Sequence, residues 1–130
     1  IDEQRKNTSG GNQTAIEAMH HIKQSAVEMK EAVLRGDIGR FADILGRAWE
    51  NKKKMASPIT NACIDEAFRV AKEAGAVTGK VSGAGGGGFI IFIVEPTRRL
   101  NVVRALNELD GRVVDFQFSE GGTHGWKIYK

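Results

Sequence analysis

Gly79-Lys80-Val81-Ser82-Gly83-Ala84-Gly85-Gly86-Gly87-Gly88 runs straight into Phe89-Ile90-Ile91-Phe92-Ile93-Val94. The second stretch is an unbroken run of β-branched and aromatic residues with no polar face, and it predicts a strand buried on both sides at the centre of a sheet. Before the glycines, Val77-Thr78-Gly79-Lys80-Val81-Ser82 alternates, with Val77 and Val81 on one face. The glycines therefore form a turn between two strands. Glycine loses more backbone entropy on folding than any other residue, so a cluster needs a cause. A hairpin needs only one or two glycines, yet five of the six residues from Gly83 to Gly88 are glycine. The excess favours main-chain amides left bare for a ligand, and amides in series make a nest for an anion such as phosphate. The competing reading is a sharp hairpin that needs the glycines only for close packing.

Gly83, Gly85 and Gly88 fit the spacing G-x-G-x-x-G. The dinucleotide fingerprint requires a helix to open at that loop, and here a strand follows. The acidic residues at the expected distance, Glu108 and Asp110, fall at a predicted helix end. No Gly-Lys-Ser/Thr closes the loop, so it is not a Walker P-loop either.

Upstream the pattern is helical. Residues 1–12 are polar and read as a linker or arm. From Gln13, the residues Ala15, Met19, Ile22, Ala26, Met29 and Val33 make one apolar stripe. Gly36 ends this helix and Asp37 caps the next. Ile38, Phe41, Leu45, Ala48 and Trp49 give the second stripe, and the short connection predicts an antiparallel helix pair. Lys52-Lys53-Lys54 closes the second helix as a solvated cationic end, or faces a phosphate if that end folds toward the glycine turn. Ser57-Pro58-Ile59 breaks the helix. Thr60 or Asn61 caps a third, which runs to about Ala74 and stops at Gly75.

Downstream, Pro96 opens a helix whose apolar side is Val102, Val103, Leu106 and Leu109, ending at Gly111. Val114, Phe116 and Phe118 alternate with Asp115 and Gln117 as a half-buried strand. After a turn at residues 120–125, Trp126 and Ile128 mark a last short strand. The order predicts an α+β domain: a two-layer, ferredoxin-like antiparallel sheet with an extra N-terminal helix pair.

At 130 residues and 41% hydrophobic content the chain fits one domain with a core. A net charge of +3, with both signs interspersed, agrees with an anionic ligand and gives no basic stripe for nucleic acid. The single cysteine, Cys63, excludes an internal disulfide and reads as a buried, inert thiol. No signal peptide or membrane-length apolar run is present, so the cytoplasm is the default expectation. His20, His21 and His124 lack metal-ligand spacing. Lys80 lies on the sheet's outer face, as open to solvent as to a ligand. No residue reads as a general base, so no catalytic residue and no metal ligand is assigned.

Lys80-Val81-Ser82-Gly83-Ala84-Gly85-Gly86-Gly87-Gly88 resembles the third signature motif of the GHMP small-molecule kinases, K-x-[ST]-G-A-G-G-G-G. Trp49-Glu50-Asn51-Lys52-Lys53-Lys54, Ile64-Asp65-Glu66-Ala67 and Gly75-Ala76-Val77-Thr78-Gly79-Lys80 are similar to its bacterial sugar-kinase branch, nearest to the heptose phosphate kinases. The likeness runs along the C-terminal domain of such an enzyme, here residues 13–130. It implies ATP and Mg2+ as cofactors and a sugar phosphate as substrate. It also implies a phosphate- or substrate-binding role for Ser82, Gly83, Ala84, Gly85 and Gly86. The family's serine-rich ATP loop and its first motif have no match in this chain, which begins at Ile1. The expectation is therefore one half of an enzyme, inactive without an N-terminal ATP-binding domain. Another GHMP kinase, of mevalonate or galactose type, and a noncatalytic ferredoxin-like ligand-binding module are the alternatives.

Overall fold

A computed structural model describes residues 13–55, 59–83 and 87–127. Helices α1 (Gln13–Leu34), α2 (Ile38–Met55) and α3 (Ala62–Glu73) precede strands β1 (Ala76–Ser82) and β2 (Phe89–Val94). A 3-10 turn (Pro96–Arg98) then leads into α4 (Arg99–Asn107).

The first two helices reverse on three residues. Gly36 adopts φ 67°, the left-handed conformation that favours glycine at a helix end. The Asp37 carboxylate accepts the Arg40 N–H at 2.9 Å and so caps α2. The helices pack against each other, and Arg47 of α2 is ion-paired to Glu28 of α1 at 2.9 Å. The buried face of α1 matches the expected stripe only at Ala15, with Ile22 and Met29 half-buried. That face is Ala15, Ala18, Ser25 and Ala32, all buried, while Met19 and Val33 are exposed. Close helix packing selects small side chains, and Ser25 is accommodated by donating to the His21 carbonyl at 2.8 Å. On α2 the buried face is Ala42, Ile44, Leu45 and Trp49, and Ile38 is left outside.

Asn61, rather than Thr60, caps α3: its side-chain oxygen accepts the Ile64 N–H at 3.0 Å. The chain leaves α3 through Gly75, at φ 111°. Strands β1 and β2 pair antiparallel from Ser82↔Phe89 back to Ala76↔Val94, with a bulge between Ala76 and Thr78. The bulge breaks the expected alternation, so Ala76 is buried and Val77 is turned out.

Two clusters make the core on the sheet. Trp49, Ile59, Ile64 and Val81 pack with Phe68 and Ile90. Ala71, Ala76 and Val102 pack with Phe92, Val94 and Leu106. An aromatic chain joins them. Trp49 stacks on Phe68 at 5.6 Å, and Phe68 meets Phe92 edge-on at 5.3 Å.

The α+β class and the N-terminal helix pair stand as expected, but the sheet of the described residues has two strands. Residues 112–119 and 122–127 form no ladder, so the strands expected around Val114–Phe118 and at Trp126 are absent there; Ile128 lies outside the described residues. Alternation alone does not make a strand, because backbone groups need a neighbour to bond. This segment is joined to α4 by the exposed Arg99–Asp115 ion pair at 2.6 Å. β2 is correspondingly not buried on both faces: Phe89 is 66% exposed. Cys63 is exposed too, correcting the expectation of a buried thiol. It is the second residue of α3, on the turn where the helix is only beginning to pack. No helix among the described residues is long and apolar enough to cross a membrane.

Candidate functional site at the glycine turn

Both flanks of the turn between β1 and β2 face solvent. Ser82, Gly83, Gly87 and Gly88 are all exposed. Of the residues expected to bind substrate or phosphate, Ser82 and Gly83 are described, while Ala84, Gly85 and Gly86 lie outside the described residues. Gly83 and Gly88 flank the turn, each at φ 98°. Two glycines are therefore explained by a conformation that L side chains rarely adopt. Gly79 is explained by packing, since a Cβ there would sit 2.6 Å from the Phe92 ring and 2.9 Å from the Ile91 carbonyl. Gly87 has neither reason, having no left-handed φ and nothing within 4 Å of a Cβ. Its missing side chain leaves room that no other described residue fills.

A cleft of about 1110 Å³ begins at this turn. Ser82, Gly87 and Gly88 form one end of it, and it continues between α3, β2, α4 and residues 109–116. Its walls are mainly apolar, including Phe92, Val102 and Leu106.

The charged side of the turn comes from α2. Lys52 Nζ donates to the Gly83 carbonyl at 2.5 Å. Its neighbour Lys53 pairs instead with Glu50 at 2.8 Å. Both ammonium groups lie 6.0 Å from the centre of the buried Trp49 ring, within reach of the indole face. The last turn of α2 thus folds toward the glycine turn, and Lys52 is the residue that meets it. Partial burial, and after it the like charge of Lys80, hold the Lys52 pKa below the ordinary lysine value. Lys80 of β1, opposite Ile91 in the ladder, is half-buried and is the second cation here. Sequence alone left both lysines between surface and ligand roles. The signal was the lysine triplet at a helix end, but only the packing of α2 beside β1 shows which member reaches the turn.

The described residues contain no group of three His, Cys, Asp or Glu side chains able to hold a metal ion. A rim bearing two lysines is a poor seat for a divalent cation and a good one for an anion.

The described residues thus place a small antiparallel sheet with a glycine-rich turn beside a helix pair, with cations at the rim of the turn. The family model for the C-terminal domain of GHMP kinases matches residues 29–110, and the chain belongs to that family. It is 42% identical, over 97% of its length, to D-glycero-alpha-D-manno-heptose 7-phosphate kinase of Campylobacter jejuni, covering 37% of that protein. It is 26% identical over 72% of its length to L-fucokinase/L-fucose-1-P guanylyltransferase of Bacteroides fragilis, covering 10% of it. Among solved structures, a Campylobacter jejuni protein assigned as a sugar kinase superposes with a TM-score of 0.64 at 45% identity. Mevalonate kinase of L. major bound to R-mevalonate superposes at 0.72 and 16% identity. Each alignment covers 82% of this chain and 32% of the other. The mevalonate kinase likeness is one of fold. The chain spans about a third of the length of its first matches.

Proposed function

We propose that this chain is the C-terminal, substrate-facing part of an ATP-dependent sugar kinase that phosphorylates a heptose phosphate, D-glycero-D-manno-heptose 7-phosphate. The observation that carries this reading is the 42% identity to a heptose 7-phosphate kinase along almost the whole chain. The open glycine turn agrees with it. Residues 13–130 form the domain, residues 1–12 are the arm that leads into it, and an ATP-binding domain completes the enzyme in the cytoplasm.

In this reading a sugar hydroxyl attacks the γ-phosphorus of ATP, the new P–O bond forms as the bond to ADP breaks, and the hydroxyl proton leaves to solvent or to a base outside this chain. Phosphoryl transfer of this kind is largely a matter of positioning and of stabilising charge on the equatorial oxygens. The contribution of this chain is the turn, where Ser82, Gly83, Ala84, Gly85 and Gly86 bind phosphate or substrate oxygens through main-chain amides and the Ser82 hydroxyl. Ala84 is the only side chain between Gly83 and Gly88, and its small size keeps the approach open. Mg2+, the usual companion of ATP, would neutralise charge on the phosphates.

The test is a coupled ADP-release assay on the complete enzyme, with heptose 7-phosphate compared with mannose 6-phosphate, L-fucose and mevalonate. Turnover with the heptose phosphate well above the others is expected. Preference for mevalonate or fucose would move the protein to another branch of the family. No turnover with any of them would overturn the kinase reading.

A further inference from the structure

We propose that Lys52 and Lys80 together form a binding site for a terminal phosphate dianion at the rim of the glycine turn. The identity of the natural ligand rests on the kinase reading above, but the site itself rests on the arrangement of these two side chains.

Lys52 is tied to the turn by its bond to the Gly83 carbonyl. An ammonium group has three N–H donors, so one is used on the protein and two remain. Lys53, next along the helix, is neutralised by Glu50. Among the described residues no carboxylate pairs with Lys52 or Lys80. The charge that acts on Lys52 is another cation, Lys80. Two like charges held together where one is partly desolvated oppose folding, and solvent-exposed lysine side chains normally swing apart to avoid this. Lys52 is anchored on Gly83 and lies against Trp49, and the ladder sets the backbone from which Lys80 projects, three residues before Gly83. An anion between them removes the repulsion and satisfies the remaining donors.

The ligand class follows from the donors. Lysines act as point charges and do not impose the planar, two-pronged geometry that arginine offers a carboxylate. A tetrahedral phosphate with three terminal oxygens can meet both ammonium groups and still present an oxygen to the turn, where Gly87 leaves space open. Within a sugar kinase, two molecules carry such a group: the nucleotide at its γ-phosphate and the sugar phosphate at its existing ester.

The experiment is calorimetric titration of the complete enzyme with inorganic phosphate, with heptose 7-phosphate and with a non-hydrolysable ATP analogue. Wild type is compared with Lys52→Met, Lys80→Met and Lys52→Arg. Losing a charge-assisted hydrogen bond weakens binding by about tenfold or more. Both methionine variants should therefore lose affinity for inorganic phosphate by about that factor, and Lys52→Arg should retain most of it. The physiological ligand whose affinity falls in parallel is the occupant, and the other should be unaffected. Thermal melts identify any variant that is merely unfolded, and the two positions test the site independently. Inorganic phosphate binding unchanged within about twofold in folded methionine variants, or absent from wild type, overturns the site. Loss of inorganic phosphate binding in the variants, in an enzyme that does not phosphorylate heptose 7-phosphate, leaves the site standing and overturns only the heptose assignment.

Discussion

Gly46 and Thr78 are in van der Waals contact across the α2–β1 interface: a Cβ added to Gly46 would lie 2.7 Å from the Thr78 hydroxyl oxygen. Six residues further along α2, Lys52 meets Gly83, which is five residues further along β1. Helix and strand therefore advance side by side in the same direction, with Gly46 setting their spacing. At about 1.5 Å per residue the helix climbs ~9 Å between these contacts, enough to carry Lys52 from the packed interface to the exposed turn. Gly46→Ala should cost little. The Thr78 hydroxyl can rotate away, and alanine returns about 1 kcal/mol of helix propensity. Gly46→Leu cannot be absorbed that way, and should destabilise by about 1–3 kcal/mol through overpacking. Urea midpoints of the two variants would separate these outcomes; equal midpoints would mean that α2 does not rest on β1 at this point.

The glycines around the turn divide into packing, conformational and open positions, and the division is testable. Gly79→Ala should lose about 1–3 kcal/mol, since one clash is with backbone that cannot swing aside. Gly83→Ala meets no atoms but must adopt φ 98°, a strain of roughly 1–2 kcal/mol. Gly87→Ala meets neither obstacle and should leave the melt unchanged or slightly raised. If a phosphate or sugar lies against the turn, that same variant of the complete enzyme should lose turnover. A Gly87→Ala enzyme with normal stability and full activity would return the turn to a purely structural role.

The helix ends, both flanks of the turn and the α+β class were legible because each is written locally. Gly36 and Asp37 mark a helix boundary whatever surrounds them, and a glycine run followed by Phe89–Val94 can hardly be anything but a turn entering a strand. What failed depended on neighbours. On α1 the apolar stripe and the buried face share Ala15, but packing buries Ala18, Ser25 and Ala32 and leaves Met19 and Val33 exposed. The bulge that turns Val77 outward arises from pairing with β2, which no single strand encodes. Residues 114–118 carry the alternation of a strand, yet among the described residues no ladder partner is in place, so the pattern goes unused. At the site, a lysine triplet was visible as a charge run, but the choice of Lys52 over Lys53 came from the orientation of α2.

Trp49 couples the core to the site, and its removal should be felt in both. It is 4% exposed, stacks on Phe68 and lies beneath Lys52. Trp49→Ala should cost about 3–5 kcal/mol, the range for emptying a buried aromatic site. Trp49→Phe keeps a ring against Phe68 and should cost clearly less. Both can be read from the denaturant midpoint. The phenylalanine variant should also bind inorganic phosphate somewhat more weakly, because the Lys52 stem loses part of its support. Equal destabilisation by Ala and Phe would show that the stacked ring contributes no more than a methyl group.

The proton on Lys52 gives the last test. Folding lowers its pKa, first by burial and then by the charge of Lys80. In the pH window between the lowered value and the ordinary lysine value, the unfolded chain holds more protons than the folded one at this position. Stability from this residue must therefore rise with pH across that window, and the penalty is fully present at neutral pH. Lys52→Met removes the penalty and should flatten that part of the curve relative to wild type. Urea titrations at closely spaced alkaline pH values measure the slope directly. A bound phosphate acts in the opposite sense, since an adjacent dianion favours the charged ammonium. Nitrogen NMR of the lysine Nζ groups should place Lys52 below the other lysines in the free protein and shift it upward when inorganic phosphate is added. A Lys52 resonance that titrates with the bulk lysines, with and without phosphate, would mean that Lys52 is simply solvated at the end of α2.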